Sequence, residues 1–445
     1  MPAPPPDLIF ARGQMALSLA FHIVFAAVGV ALPALMVVAE ALYRRTGDEV
    51  YLELAHRWAK GTAILFAVGA VSGTVLSFEL GLLWPRFMAF GGAIIGMPFS
   101  LEGFAFFTEA IFLGIYLYGW ERVSPRAHLL SGVAVAVSGA FSALFVVLAN
   151  AWMNAPAGFR MVDGAPTEVH PLVAMFSPGW AVEVGHVLLS SYLATAVAMA
   201  AVHALFLLRS PRSRFHRAAL GIAMAFVVPA ALLQPISGDA SARSVAIRQP
   251  AKLAALEGQF QTERGAPLRV GGWPDPVAQT TRYALEIPYG LSLLAFHDPH
   301  AEVRGLDSFP RADRPEPRVV HVAFQVMVGC GSVMALVAVW WGVLWIRRRR
   351  RPSAPPPEDH RALVAAVAVC GPLGFLAIEA GWTVTEVGRQ PWIVYGVVRT
   401  AEAVTPMGGL ATSFALVGAV YSALAVVVAV LLGRLFLKTS DAHGS

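Results

Sequence analysis

Long, nearly unbroken apolar stretches alternate with short polar intervals along this chain. They fall roughly at residues 13–43, 58–80, 94–119, 127–152, 180–208, 216–237, 319–346, 361–384 and 404–437. Each holds at least 18 residues, enough at about 1.5 Å per residue to cross about 30 Å of hydrocarbon as a helix. The pattern predicts an all-α polytopic membrane protein of about nine transmembrane helices. One polar interval is much longer than the others, so the chain divides into helices 1–6 (residues 1–237), a loop (238–318) and helices 7–9 (319–445). Within the loop, Pro250–Gln259 reads as a short helix, and the segment predicts a partly ordered cap. Residues 347–361, five arginines followed by a proline-rich run, predict a linker. The first apolar run has no basic segment before it and no small-residue cleavage site close behind, so it reads as an uncleaved span.

Composition agrees. Of 445 residues 57% are hydrophobic and 14% charged, with mean hydropathy +0.62; water-soluble domains carry nearer a quarter charged residues. Basic residues crowd one set of short intervals, among them Arg44, Arg45, Arg57, Lys60, Arg122, Arg126 and the run Arg347 to Arg351, with Lys438 in the tail. The opposite set holds only Arg12, Arg86, Arg160, Arg389 and Arg399. The positive-inside rule then places the N-terminus outside and the C-terminus inside. The net charge of +5 is accounted for by this asymmetry and does not form a nucleic-acid patch. Cys330 and Cys370 both lie in apolar spans, which argues against a disulfide framework. No C-x-x-C-H occurs, so any haem is held without thioether links.

Ionisable groups inside a bilayer are costly and by default mark function. His22, His186, Met327 and Glu379 fall on four different spans, each some six to nine residues from the same face. That predicts one level roughly 9–14 Å deep. Imidazole, thioether and carboxylate are all iron donors. Singly, each has a plainer reading: an interhelical hydrogen bond for His, core filler for Met, a transporter site for Glu. Glu102 and Glu109, seven residues apart, share a helical face, and Ser142 lies on the next span. The three read either as a proton route or as a structural hydrogen-bond network. Glu183, one turn before His186, is placed to orient it or a haem edge. His128, His203, His216, His360 and His443 sit at interfaces, loops or the tail and carry no signal.

Local strings narrow the choice. RGQMALSLAFHIVF, LEGFAFFTEAIFLG, NAWMNAPAGFR, QPAKLAALEGQF, GGWPDPVAQTTRYALEIPYGLSLL, FQVMVG and IEAGWTVTEVGRQPW together resemble subunit I of the cytochrome bd quinol oxidases over essentially the whole chain. The short loop is similar to the branch often called cyanide-insensitive oxidases. The resemblance implies a quinol:oxygen oxidoreductase that builds a membrane potential without pumping, with three haems: two of type b and one of type d or b. His186 and Met327 are then the axial ligands of a low-spin haem b. His22 and Glu379 hold the two high-spin haems, with His22 assigned to the haem b. Arg389 and Trp392 of the GRQPW string contact cofactor, Lys252 and Glu257 bind quinol, and Ser142, Glu109 and Glu102 carry protons from the inner face to the oxygen site. A second large membrane subunit, a single-helix small subunit and a bacterial cytoplasmic membrane setting are also implied. Three positions depart from the family pattern: Gln325 where Arg is found, Phe375 for Trp and Asn154 for Gln. Two other classes fit the buried polar residues alone, a proton-coupled transporter and a di-haem electron carrier without oxygen chemistry.

Overall fold

A computed structural model of the chain describes residues 6–443, with side chains over residues 7–435. Long helices cross in alternating directions: α1 (Pro6–Thr46), α2 (Glu49–Leu83), α3 (Pro85–Tyr118), α4 (Pro125–Asn154), α5 (Trp180–Arg209) and α6 (Arg214–Arg248). After them come a short helix α7 (Pro250–Glu257), then α8 (Pro317–Arg350), α9 (Arg361–Val369), α10 (Leu373–Arg389) and α11 (Leu410–His443). Among the described residues nine segments are long and apolar enough to span a membrane, the eighth made of α9 and α10 together. The side chains of Lys438 and His443 lie outside the described residues.

The polar intervals stop helices by identifiable chemistry. Asp48 accepts from Val50 N at 3.2 Å and caps α2; Ser124 accepts from Ala127 N at 3.3 Å and caps α4. Gly47 turns the chain between α1 and α2 at φ 70°. One end of the bundle carries the arginine-rich linker. The other, the loop end, carries the connection between α6 and α8, whose short antiparallel ribbons pair Leu268 with Ile287 and Trp273 with Arg282.

Helices α1, α2 and α3 begin seven to nine residues before the expected apolar runs, and two further differences bear on the site. Helix α6 contains Pro229 and Pro235 and does not stop at residue 237 but continues to Arg248, so the loop proper begins at Gln249. Neighbouring helices stabilise helical segments that contain proline. The span expected at 361–384 is broken at Cys370–Pro372 and resumes as α10, ending at Arg389. Gly371 and Gly374 lie where this segment crosses α5. A Cβ on Gly374 would come 2.5 Å from Ala194 Cα, and one on Gly371 2.8 Å from Ala201 Cβ. Only glycine allows that approach.

The core runs along α1, α2, α5 and α6, with Leu35, Met36, Leu54, Ala200 and Leu220 fully buried. Helix α3 presents Phe104, Phe107 and Ile111 outward.

Candidate cofactor and quinol site

The expected single level of ligands resolves into two tiers. Thr195 Oγ1 on α5 donates to Ala27 O on α1 at 3.1 Å, and Gly374 of α10 lies against Ala194; these contacts tie three helices to a common ruler. Counting toward the loop end at about 1.5 Å per residue, His22 lies roughly 8 Å and Glu379 roughly 9 Å above Thr195. His186 lies roughly 13 Å above it, and Gly381, the glycine against Met327, roughly 12 Å. His186 and Met327 therefore share one tier, and His22 and Glu379 a second some 4 Å deeper.

Local contacts leave the donor atoms free in the deeper tier, whereas in the upper tier Gln234 stands at the His186 ring and would have to yield to a metal. Ser72 Oγ donates to Val68 O at 2.9 Å, so at 3.0 Å it accepts from His22 Nδ1. That leaves Nε2 of His22 with the free lone pair that iron requires. Gly73 gives the ring room: a Cβ there would meet His22 Cε1 at 2.9 Å. Gly381 does the same for the thioether, at 3.0 Å from Met327 Sδ. Glu379 Oε1 is buried without a hydrogen-bond partner among the described residues, which suits a metal-binding carboxylate. His186 Nδ1 lies 3.2 Å from Ser237 Oγ, and Gln234 Nε2 stands 3.2 Å from its Nε2. Among the described residues no three His, Cys, Asp or Glu converge on one metal; a porphyrin iron needs only one or two protein donors.

Glu183 does not orient His186. Its Oε2 accepts from Asn154 Nδ2 at 3.1 Å, and His186 is held by α6 instead. Asn154 is the hub of a buried network at the loop end. Its Oδ1 accepts from Gln249 Nε2 (3.2 Å), Arg389 Nη1 (3.2 Å) and Lys252 Nζ (3.3 Å), and its Nδ2 also donates to Asn150 Oδ1 at 3.0 Å. Asn150 in turn donates to Glu386 Oε1 at 2.8 Å, and Glu386 pairs with Arg389. Arg389 is 2% exposed, yet its Nε is unpartnered, a free donor suited to a propionate. Trp392 lies apart from this hub, in a short ribbon with Arg399 stacked over its ring at 4.4 Å.

Lys252 and Glu257 are both buried in α7, but five residues is about 140° around a helix, so they do not share a face. Lys252 points to Asn154 and passes over Gly388, where a Cβ would lie 2.8 Å from its Cγ. Glu257 faces the field of Arg269, with Oε2 unpartnered. Burial, helped by repulsion from Arg389, brings the Lys252 ammonium down to about 7 against the pull of Glu183 and Glu386. Burial pushes the Glu257 carboxyl up to about 8, with Arg269 opposing. Gln325 clamps this loop to α8: Oε1 accepts from Gly271 N at 2.9 Å and Nε2 donates to Arg269 O at 3.0 Å.

Of the expected proton-route residues, Ser142 Oγ donates to Glu102 Oε1 at 3.2 Å. It therefore stands with the carboxylate nearer the loop end, not before Glu109. Glu109, 5% exposed, lies beside Gly139, whose Cβ would be 3.4 Å from its Oε1 and 3.2 Å from Gly29 O. By the same ruler Glu102 is level with His22 and Glu379, and Glu109 roughly 10 Å deeper. His128, His203 and His216 are not idle at an interface, as their sequence positions suggested. All three are buried, His128 against Glu40 at 3.0 Å and the other two Nδ1 to Nδ1 at 2.9 Å.

Comparison with known proteins agrees in sequence and in fold. The sequence profile for the cytochrome bd terminal oxidase subunit I matches residues 10–440. A subunit I provisionally assigned to a cytochrome bd menaquinol oxidase of Bacillus subtilis (strain 168) is 37% identical, with 97% of each chain covered. Subunit 1 of the cytochrome bd-II ubiquinol oxidase of Escherichia coli (strain K12) is 30% identical, with 92% of each covered. The bd oxidase structure from Geobacillus thermodenitrificans superposes with a TM-score of 0.90 at 39% identity, covering 97% of this chain and 98% of that one. The chain belongs to the cytochrome bd terminal oxidase subunit I family.

Proposed function

We propose that the chain is the haem- and quinol-binding subunit of an oxidase that takes electrons from quinol at the loop end and delivers them to dioxygen. The two-tier arrangement carries this reading. His186 and Met327, level with each other on α5 and α8, which both pack against α6 and α10, would hold the iron of one low-spin haem. Histidine–methionine ligation suits electron transfer. His22 and Glu379 in the deeper tier hold one high-spin haem each, two of type b in all with a third of type d or b. When bound, those haems supply the electron relay and the oxygen-reducing centre. Arg389, with a free buried Nε, stands on the loop side of both tiers, where it neutralises propionates of the nearer haem, and Trp392 buttresses that end through Arg399.

The protein groups bind substrate and move protons. Quinol binds against α7, with Lys252 and Glu257 addressing its two oxygens from different sides of that helix. A carboxyl lifted to about 8 and an ammonium lowered to about 7 sit near the working pH, where a proton acceptor is most effective. Protons released there leave on the loop side, the outside by the arginine distribution. Those consumed with oxygen climb from the arginine side, past Glu109 and then the Ser142–Glu102 pair. Opposite release and uptake charge the membrane without a pump. As a subunit I the chain implies a subunit II partner; the exposed apolar face of α3 accommodates it, and a single-helix small subunit completes the assembly. The setting is a bacterial cytoplasmic membrane, multi-pass.

Oxygen consumption by the purified complex with a reduced quinol, together with its pyridine-haemochrome spectrum, tests the reading. Turnover with three haems per complex supports it. A coloured protein that consumes no oxygen reduces it to an electron carrier, and a colourless one to a transporter.

A further inference from the structure

A second cavity lies on the opposite side of the ligand tiers from α7. Its volume is about 320 Å³, and it runs between α1, α2 and α11 on one wall and α5, α6 and α10 on the other. It extends from Phe375, one turn inside Glu379, past Val28 and Val428 to His203 near the arginine end. His203 is seventeen residues along α5 from His186, roughly 25 Å deeper. The volume falls within the usual span of small-molecule sites, roughly 300–1,000 Å³, which are mostly apolar with a few placed polar groups.

At its deep end the lining changes from aliphatic to flat. The Phe206 and His216 rings are stacked 4° from parallel with centroids 4.6 Å apart, and Trp58 lies beside His203. His203 is 3% exposed, its Nδ1 shares one hydrogen with His216 Nδ1 at 2.9 Å, and its Nε2 has no partner among the described residues. When His216 donates in that pair, His203 carries its proton on Nε2, buried just behind the cavity wall that His203 helps to form. A buried, unmatched donor costs about 1–3 kcal/mol, so a neutral acceptor is favoured there. The nearby cation gives an anionic headgroup no net attraction: Arg57 is already paired with Glu53 and lies over Phe215 at 4.9 Å.

We propose that this cavity holds an isoprenoid quinone, separate from the quinol oxidised at α7. Its ring lies in the aromatic slot with one carbonyl accepting from His203 Nε2, and its tail occupies the aliphatic length toward Phe375. A phospholipid satisfies the tail but brings a phosphate that the neutralised end does not match. The proposal rests on the quinol-oxidase reading only for its supply of quinone.

The test uses the whole complex, purified with its partner subunit and washed in excess detergent. Retained quinone and phospholipid are counted by mass spectrometry. About one quinone per complex is expected, falling at least fivefold in Ala198→Phe, which fills the cavity from its α5 wall, and in His203→Phe, which removes the donor. Turnover of Ala198→Phe on a short-chain quinol should stay within twofold of the parent. A tailed azido-naphthoquinone should label the segment 198–216. Absence of retained quinone, retention unchanged in both variants, phospholipid at that stoichiometry, or label confined to residues 249–261 would each overturn the proposal. Loss of quinol turnover in the parent complex would instead strike the oxidase reading, while retention and labelling still decide this site.

Discussion

Asn154 Oδ1 accepts a hydrogen bond from Lys252 Nζ at 3.3 Å, and through that contact the loop helix α7 is fastened to the end of α4. The same oxygen also serves Arg389 and Gln249. One amide oxygen thus joins the Lys252 ammonium of α7 to the Arg389 guanidinium at the end of α10. Lys252 reaches it because Gly388 lets its stem pass: a Cβ there would lie 2.8 Å from Lys252 Cγ.

Truncating this hub should be costly. Asn154→Ala leaves two buried cations and a carboxylate short of partners, a loss of roughly 3 kcal/mol by the usual magnitudes. We expect a clear fall in the thermal midpoint of the complex and at least tenfold slower quinol oxidation. Asn154→Gln should recover most of both. Equal damage in the two variants would mean that packing, not the oxygen acceptor, matters at this position.

Quinol oxidation should depend on pH through Glu257. Its carboxyl is lifted to about 8, so it accepts protons well only once ionised, and the rate should rise with a midpoint near 8. Glu257→Gln should remove that limb. The stability linkage has the opposite sense: the folded state favours the protonated form, so this contribution is full below the ordinary carboxylate range and lost as pH rises through about 8. A rate limb unchanged in Glu257→Gln would exclude the carboxyl as the acceptor.

The axial assignment is open to a graded spectroscopic test. Met327→Leu should convert the low-spin haem signal to high-spin. Gly381→Val, which drives side-chain atoms toward Met327 Sδ from a Cβ already at 3.0 Å, should weaken the same signal without touching the ligand. A low-spin spectrum intact in Met327→Leu would reject the ligand.

Proton delivery separates Glu109 from its neighbours. Glu109→Gln should slow turnover about a hundredfold at full haem content, whereas Ser142→Ala, beside Glu102, should slow it less than tenfold. Loss of all haem in Glu109→Gln would show the residue to be structural. Equal effects of the two substitutions would contradict the order of groups along the route.

The number of spans, the arginine asymmetry and the four candidate iron ligands were legible in the residue order. A bilayer forces each crossing to be a long apolar helix and makes every ionisable residue within it conspicuous. Residue order did not reveal that His22 and Glu379 form a tier below His186 and Met327, because depth counted from apolar edges ignores how far each helix protrudes. Nor did it show that Ser142 belongs with Glu102, that Asn154 gathers four helical segments, or that His203 faces a cavity. Those relations depend on the rotation and sliding of one helix against another. Small contacts decided them, such as Gly374 on Ala194, Gly381 on Met327 and Gly388 under Lys252, and a uniformly apolar stretch carries no mark of which side each helix turns to its neighbour.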